Sequence, residues 1–503
     1  MIIWVSSISI LFSTQLVSDY LWSWDIHYQY YSASLVLNNN IWNYNLPSDA
    51  NSLITVVLLG PIYSFLTETS LIWIYKIVYP FLFSFVPLGI YYLVKDQFNS
   101  SKIAYFSAFV FMFYYGFFKD MIDKQFIAEI FLILILIVLL SKNSKLRNIL
   151  IIPFVLMLPL THYGVSYIFL ICLIPTAIIL FAFKEKEQVS ITIIIFAAVS
   201  IISWHIYTSE GSVFTNIISI GNHITSSITD IIANPETRTG AAYLTKQTPS
   251  LVWAIYKIMN ASLLFFMAVG TIKLCLSLLN SGKKFVKSKF YSIISIIFVF
   301  FIVFQIFSNS SLGMDRGLQI SLVVLSPLIV IGFIQTVFYL KKVIRIKNIN
   351  LNTNFNILAI FLCIFFIFSS GLANFSVGDN LPYSVNLNKN SEWHVYSPSE
   401  VAGIKWSRNY KDNITLGVLN PWRSIKSRDG SLTSGYYSKN EIYAFSPDSI
   451  KIKNKYLFMG NTTLDAFKMG DLVIDLKKRP IYGSIMQSNK IYTSEDSTIY
   501  LFL

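Results

Sequence analysis

A polytopic all-α membrane domain of about eleven transmembrane helices, followed by a small α/β extracytoplasmic domain, is the architecture that three features of the sequence predict. The chain is 54% hydrophobic and only 13% charged, with a mean hydropathy of +0.58. Apolar runs of bilayer length recur down to about residue 373, far too many for a cleaved signal peptide. Beyond Ala373 the runs shorten, and Asn, Ser, Lys and Asp become common. The domain boundaries expected are therefore 1–373 and 374–503.

The spans expected in order are 1–17, 70–94, 103–118, 126–140, 147–161, 163–183, 189–207, 251–279, 290–307, 318–340 and 355–373. The first begins at Met1 itself, an abrupt start that leaves open whether further helices precede it. Segment 51–67 is apolar but short, and Gly60-Pro61 interrupts it. Charge decides whether it crosses. If it does not, loops 95–102, 141–147, 184–188, 280–289 and 341–347 share one side and hold fifteen Lys/Arg against Asp96, Glu185 and Glu187. The positive-inside rule makes that side cytoplasmic, together with the N-terminus, and puts the C-terminal domain outside. The net charge of +13 is thus a topology signal. No basic stripe interleaved with aromatics appears, and nucleic acid is excluded as a partner.

Under this topology the remaining acids of the membrane part, Asp19, Asp25, Asp49, Glu68, Asp120, Asp123, Glu129, Glu210, Asp230, Glu236 and Asp315, fall at or near the outer face. Most are solvated loop residues. Some lie too near helix ends for that reading alone. Asp120 and Asp123 occupy the short turn Lys119–Gln125, and Glu129 follows one turn into the next apolar helix, on the same face as Gln125. An ionisable group at the start of a span needs a partner or a cavity, so Glu129 either pairs with Lys124 or Lys257 or lines a pocket. Two further outer turns are polar: Thr161-His162-Tyr163 and Leu312–Gly317, with Asp315 and Arg316. His162 could cap a helix, and Arg316 could snorkel or pair with Asp315. Asp25 and His27, in a short aromatic loop after the first span, add a carboxylate and an imidazole to that side.

The residues Trp24-Asp25-Ile26-His27-Tyr28-Gln29-Tyr30-Tyr31-Ser32-Ala33, Asn40-Ile41-Trp42, Asn51-Ser52-Leu53, Pro61-Ile62-Tyr63, Lys124-Gln125-Phe126-Ile127-Ala128-Glu129 and Leu160-Thr161-His162-Tyr163 carry a resemblance. Over about residues 18–330 the chain resembles the GT-C class of membrane glycosyltransferases, and within it an archaeal branch related to oligosaccharyltransferases, protein O-mannosyltransferases and aminoarabinose transferases. The resemblance implies transfer of a sugar from a polyprenyl-phosphate donor to a glycan, lipid or protein acceptor on the outer face of a cell envelope. It also implies an acidic residue from the first outer loop, matched by Asp25, and a second from the turn matched by Asp120 and Asp123. The chain departs from that pattern in having Lys124 where Arg is expected and Gln29 where an acid is expected. Lys keeps the charge but loses the bidentate fork.

The chemistry fits these residues. An acceptor must lose a proton while a phosphate leaves, which needs a carboxylate base and cations at the phosphate. The catalytic candidates are Asp25, Asp123 and His162; the substrate-binding candidates are His27, Asp120, Lys124, Gln125, Glu129 and Arg316. Asp25, His27, Asp120 and Asp123 would also suit Mg²⁺, Mn²⁺ or Zn²⁺, but a divalent metal is not demanded. Asp25 and His27 converge in an extended segment and diverge in a helix. A transporter or flippase, or a polymerase or ligase of lipid-linked glycans, is the rival reading. The transporter should show paired ionisable groups at mid-membrane and an internal repeat, and neither is visible.

Loop 208–250 reads either as a flap, with Glu236, Arg238 and Thr239-Gly240 in it, or as a surface amphipathic helix around 217–233. In the C-terminal domain, Ser397-Pro398-Ser399-Glu400 starts a helix through about Tyr410 with a capping hydroxyl and Glu in its first turn. Strands are expected at 414–419, 455–459, 471–476 and 498–502. Trp393, Trp406, Trp422, Tyr436 and Tyr437 could stack on sugars or fill a small core. Asn374, Asn413 and Asn461 head sequons, and Cys172, Cys275 and Cys363 all fall in spans, leaving the outer domain without a disulfide.

Overall fold

The computed structural model describes residues 1–502 apart from 24, 184–189, 234–247, 249, 280–284, 308–312, 345–350, 379–395, 411–414, 420–431, 439–440, 447, 449–454, 461–465 and 470–471. Trp24, Glu236, Arg238, Thr239, Gly240, Leu312, Trp393, Trp422, Asn413 and Asn461 therefore lie outside the described residues. The chain forms two compact units that interleave in sequence. One comprises Met1–Thr14, Tyr44–Thr55 and Ile77–Val385; the other comprises Gln15–Asn43, Val56–Lys76 and Asn386–Leu503.

The helices of the membrane-type part run α1 (Ile2–Gln15), α2 (Ile26–Asn39), α3 (Ile54–Thr67), α4 (Leu71–Phe98), α5 (Ser101–Phe113), α6 (Lys124–Leu139), α7 (Ser144–Thr161), α8 (Tyr163–Ala182), α9 (Ile191–Tyr207), α10 (Ser212–Ala233), α11 (Leu251–Leu279), α12 (Lys289–Phe307), α13 (Met314–Val343), α14 (Leu351–Ser369) and α15 (Leu372–Ser376). Among the described residues seven helices are long and apolar enough to cross a membrane: α4, α7, α8, α11, α12, α13 and α14. An eighth is counted if α9 and the helix after it form one bent span. The shortfall from eleven has a physical cause. α1, α5 and α6 are 14, 13 and 16 residues long, below the roughly 20 that a bilayer core needs. The apolar residues 114–118, which read as the end of a span, instead form a 3₁₀ turn and an irregular connection. Segment 51–67 becomes a 3₁₀ turn at Asp49–Ser52 and the short apolar α3.

In the first unit α13 is the central element: Gly317 and every residue from Leu318 to Ile334 are buried. α5, α11 and α12 pack on it. α11 comes closest, because Gly270 and Gly332 let the two backbones touch. A methyl on Gly332 would overlap the Phe266 carbonyl oxygen, and one on Gly270 would overlap that of Leu328. α10 turns by 90° from α9, so the 208–250 connection begins as a helix that lies across the direction of the span before it.

In the second unit α2, α3 and the start of α4 group with the C-terminal domain. That domain has a mixed sheet of β1 (Leu416–Leu419), β2 (Ile442–Phe445), β3 (Lys455–Met459), β6 (Asn489–Ser494) and β7 (Ser497–Phe502), in the order β2-β1-β3-β7-β6. β1 is parallel to both β2 and β3, and β7 is antiparallel to β3 and β6. β4 (Ala466–Met469) and β5 (Leu472–Asp475) form a separate hairpin. Side chains alternate across the sheet. Leu416, Val418, Tyr456, Phe458 and Ile499 pack with Val401 and Ile404 of α16 (Pro398–Tyr410). Leu457, Met459, Tyr500 and Phe502 pack with Ile481 and Ile485 of α17 (Pro480–Met486). The expected cap is present: the Glu400 carboxylate accepts from Ser397 N–H at 2.9 Å, and Ser397 Oγ accepts from Glu400 N–H at 3.2 Å. Tyr437 belongs to the core of this domain, and the partly buried Trp406 and Tyr436 pack against it.

Candidate functional site

In the first unit the candidate residues gather where α5 ends, α6 begins and α13 begins. α5 stops at Phe113, and a 3₁₀ turn at Tyr115–Phe117 leads to the charged stretch Lys119–Asp123. Asp123 adopts an extended backbone and caps α6, its carboxylate accepting from Gln125 N–H at 3.0 Å. A carboxylate there also meets the positive end of the helix dipole. Lys119 forms an ion pair with Asp315, and its ammonium lies 3.7 Å from Asp120. Tyr114 donates its hydroxyl to the Asp315 carbonyl at 3.4 Å, so the turn and the start of α13 hold each other. Burial lowers the Lys119 pKa; Asp120 opposes that shift and the nearby Arg316 charge adds to it. Carboxylates and cations of a single local cluster thus balance around one partly buried ammonium.

One turn deeper, the fully buried Glu129 accepts from Gln125 Nε2 at 3.1 Å and from Gln319 Nε2 at 3.4 Å. Its partners here are two amides. Gly116 makes room for this link, since a methyl there would lie 3.0 Å from Gln319 Oε1 and 2.8 Å from the Tyr114 ring. Lys119 and Gln319 were not among the candidates read from sequence. Lys119 neighbours Asp120, and Gln319 lies three residues beyond Arg316 on the same helix, which is the signal that could have found it.

His162 joins α7 to α8 as the capping residue of both. Its Nδ1 accepts from Val165 N–H at 3.2 Å, which leaves Nε2 to carry the proton of the neutral ring, and the ring leans on Tyr163 at 4.9 Å. The capping role is therefore real, whatever chemistry is added to it.

Asp25 and His27 belong to the second unit. Asp25 is the residue before α2, helical in backbone and partly exposed, and its side chain makes no capping bond. Because the segment is helical, two residues of separation turn the side chains by about 200°, so Asp25 and His27 diverge and do not form a chelating pair. His27 is buried edge-on to Tyr396, with ring centroids 5.3 Å apart, and its Nε2 has no hydrogen-bond partner among the described residues. Burial pushes its pKa down to about 3. Gly435 approaches the same ring: a methyl there would lie 3.2 Å from His27 Nδ1. Burial, then the Asp25 charge, push the Tyr28 hydroxyl up to about 12, against a hydrogen bond with Ser434. Tyr28 thus stays protonated beside Asp25.

Among the described residues no group of three or more His, Cys, Asp or Glu side chains is placed to hold a metal ion. The candidate ligands divide between the units, Asp25 and His27 in the second and Asp120 and Asp123 in the first, and no step below is routed through a metal ion.

Of solved structures, ArnT from Cupriavidus metallidurans bound to undecaprenyl phosphate matches 99% of this chain and 97% of its own, at 10% identity and a TM-score of 0.50. The oligosaccharyltransferase of Archaeoglobus fulgidus in complex with Zn and sulfate matches 92% of this chain and 68% of its own, at 10% identity and a TM-score of 0.47. The arabinofuranosyltransferase AftD from Mycobacteria matches 99% of this chain and 39% of its own, at 10% identity and a TM-score of 0.49. No curated protein matches the chain. The fold is GT-C-like, a helical membrane domain with a small C-terminal α/β domain, and the protein is multi-pass. Residues 147–501 match the family described as "Predicted membrane protein (DUF2206)", and with most of its length covered the chain belongs to that family.

Proposed function

We propose that this chain is an integral-membrane glycosyltransferase that moves a sugar from a polyprenyl-phosphate donor to a glycan, lipid or protein acceptor on the outer face of the membrane. The observation that carries this reading is the cluster of Lys119, Asp120, Asp123, Asp315 and Arg316 at one end of α5, α6 and α13, with buried Glu129 behind it. Ionisable groups gathered at the ends of membrane helices pair with one another or face a cavity, and such clusters recur at substrate pathways. The undecaprenyl phosphate bound to ArnT supports the donor class.

In the reaction, the bond between the anomeric carbon and the donor phosphate oxygen breaks as the acceptor nucleophile bonds to that carbon. The acceptor proton passes to a carboxylate, and polyprenyl phosphate departs with its charge increased. Asp25 takes the acceptor-side role of base or orienting group, and Asp123 the second carboxylate. Arg316 and Lys124 meet the phosphate, a guanidinium fork being suited to its oxygens. Asp120, Gln125 and Glu129 shape the donor side. His27 is buried as a neutral ring and packs, and His162 orders the α7–α8 turn and offers a donor from Nε2. Placement on the outer face rests on the basic-loop count.

The test is transfer from a labelled polyprenyl-phosphate sugar into membrane acceptors. General-base loss costs about 10²–10⁴-fold, so Asp25→Asn and Asp123→Asn should each fall by that order while the protein still inserts. Wild-type rates in both variants would sink the assignment.

A further inference from the structure

Lys76 is fully buried in α4, at the middle of a π-helical turn, Ile74–Val78. Its ammonium donates to the backbone carbonyl of Tyr20 at 3.2 Å, and the acid whose charge acts on it is Asp19. A buried ammonium is expensive, and an apolar side chain of similar size is often the more stable choice at such a place. Its neighbour in the π turn, Tyr75, is equally buried. Tyr75 donates its hydroxyl to the Val56 carbonyl at 3.0 Å and meets the ring of Tyr30 on α2 at 6.4 Å. The inserted residue of a π turn re-aims consecutive side chains, and such turns recur at functional sites.

The two side chains therefore grip the chain on either side of Asp25: Lys76 at Tyr20, before it, and Tyr75 at Tyr30, after it. Between those points Leu21, Trp22 and Ser23 are buried, and Ser23 has a left-handed backbone with φ +78°. A serine in that region is strained and persists only where its surroundings over-determine it. The Tyr20 side chain is also tied in, packing on the same core cluster of the C-terminal domain as Tyr436.

We propose that the π turn at Ile74–Val78 is the device that fixes Asp25, with Lys76 a positioning residue that holds the buried stretch Tyr20–Ser23 ahead of it, strained at Ser23, through its carbonyl bond. The idea rests on the reading of Asp25 as the acceptor-side carboxylate. Lys76 does not touch the substrate. It restricts where the carboxylate can sit, and a misplacement of about 1 Å at a reacting group can cost about 100-fold in rate.

The experiment uses the full chain in lipid nanodiscs, as wild type, Lys76→Met, Lys76→Arg and Tyr75→Phe. Amide hydrogen exchange over residues 16–25 is read first, because it needs no assumption about the reaction. Lys76→Met should speed exchange there about ten-fold while leaving the β3 and β7 amides unchanged; Lys76→Arg should largely restore it and Tyr75→Phe should give a smaller increase. Transfer kinetics are read second. Lys76→Met should lower kcat about 100-fold with the donor KM unchanged. Unchanged exchange in Lys76→Met overturns the proposal. So does a raised donor KM at constant kcat, which would place the ammonium on the donor phosphate. If Lys76→Met does not fold, Lys76→Arg and Tyr75→Phe decide, and exchange equal to wild type in Tyr75→Phe overturns the proposal. A wild type without transfer but with the expected exchange pattern refutes the glycosyltransferase reading and leaves the positioning role of Lys76 standing.

Discussion

At the scale of single residues, burial governs what His27 does. Its folded pKa of about 3 lies below the ordinary 6.5, because burial penalises the charged ring. The unfolded chain takes up this proton as pH drops below about 6.5, whereas the folded chain resists until about 3. Stability from this group is complete above pH 6.5 and is lost as pH falls toward 3, at up to about 1.4 kcal/mol per pH unit. His27→Gln should flatten the fall of the thermal midpoint between pH 6.5 and 4, and equal slopes in both proteins would show that another group titrates. Residue-level legibility followed sequence distance. Gln125 and Glu129 are four apart, and their bond was readable as a shared helix face. Gln319 lies 190 residues from Glu129, and no local pattern announces that contact. The π turn that brings Lys76 to Tyr20 was equally hidden, because hydropathy sees only an apolar stretch with one lysine in it.

At the scale of elements, the α11–α13 crossing depends on two glycines. A methyl on Gly332 would sit 1.8 Å from the Phe266 carbonyl oxygen and 2.9 Å from the Gly270 nitrogen, so backbone, not a flexible side chain, would have to move. Gly332→Ala should lower the thermal midpoint in detergent, with a loss on the order of 1–3 kcal/mol from overpacking. Gly483→Ala is the control, as nothing lies within 4 Å of its added methyl and alanine favours the helix. Comparable losses in the two variants would remove the crossing as the cause. Elements with a chemical start signal were legible, as the reciprocal Ser397–Glu400 cap shows. β2, β4 and β6 were not. They are four to six residues long, each includes a polar or small residue, and β2 exists only through pairing with β1, more than twenty residues away. The short helices α1 and α5 were overextended because hydropathy marks apolar composition rather than where a helix stops.

At the scale of the molecule, charge is sorted along the length of α13. Thirty residues of helix extend about 45 Å, beyond the roughly 30 Å hydrocarbon core, so both polar ends reach headgroup depth. One end carries Asp315 and Arg316, next to Lys119 and Asp120. The other carries Lys341, which donates to Asn354 at 2.7 Å. The basic loops converge through their own contacts: Lys287 pairs with Asp96, and Lys287 N–H donates to the Gln97 carbonyl at 2.9 Å. Lys102 reaches Asn352 at 2.5 Å, two residues before Asn354. Residues of loops 95–102, 280–289 and 341–347 thus gather with the start of α14, while the carboxylate cluster is built at the opposite ends of α5 and α13. The proposed orientation follows from applying the positive-inside bias to that separation, with the basic end cytoplasmic and the cluster outside. A reporter inserted in loop 280–289 should therefore read as cytoplasmic, and one fused after residue 503 as extracytoplasmic. Both on one side would break the link between charge and face. A cluster that opened toward the cytoplasm could not take a lipid-linked donor presented at the outer leaflet.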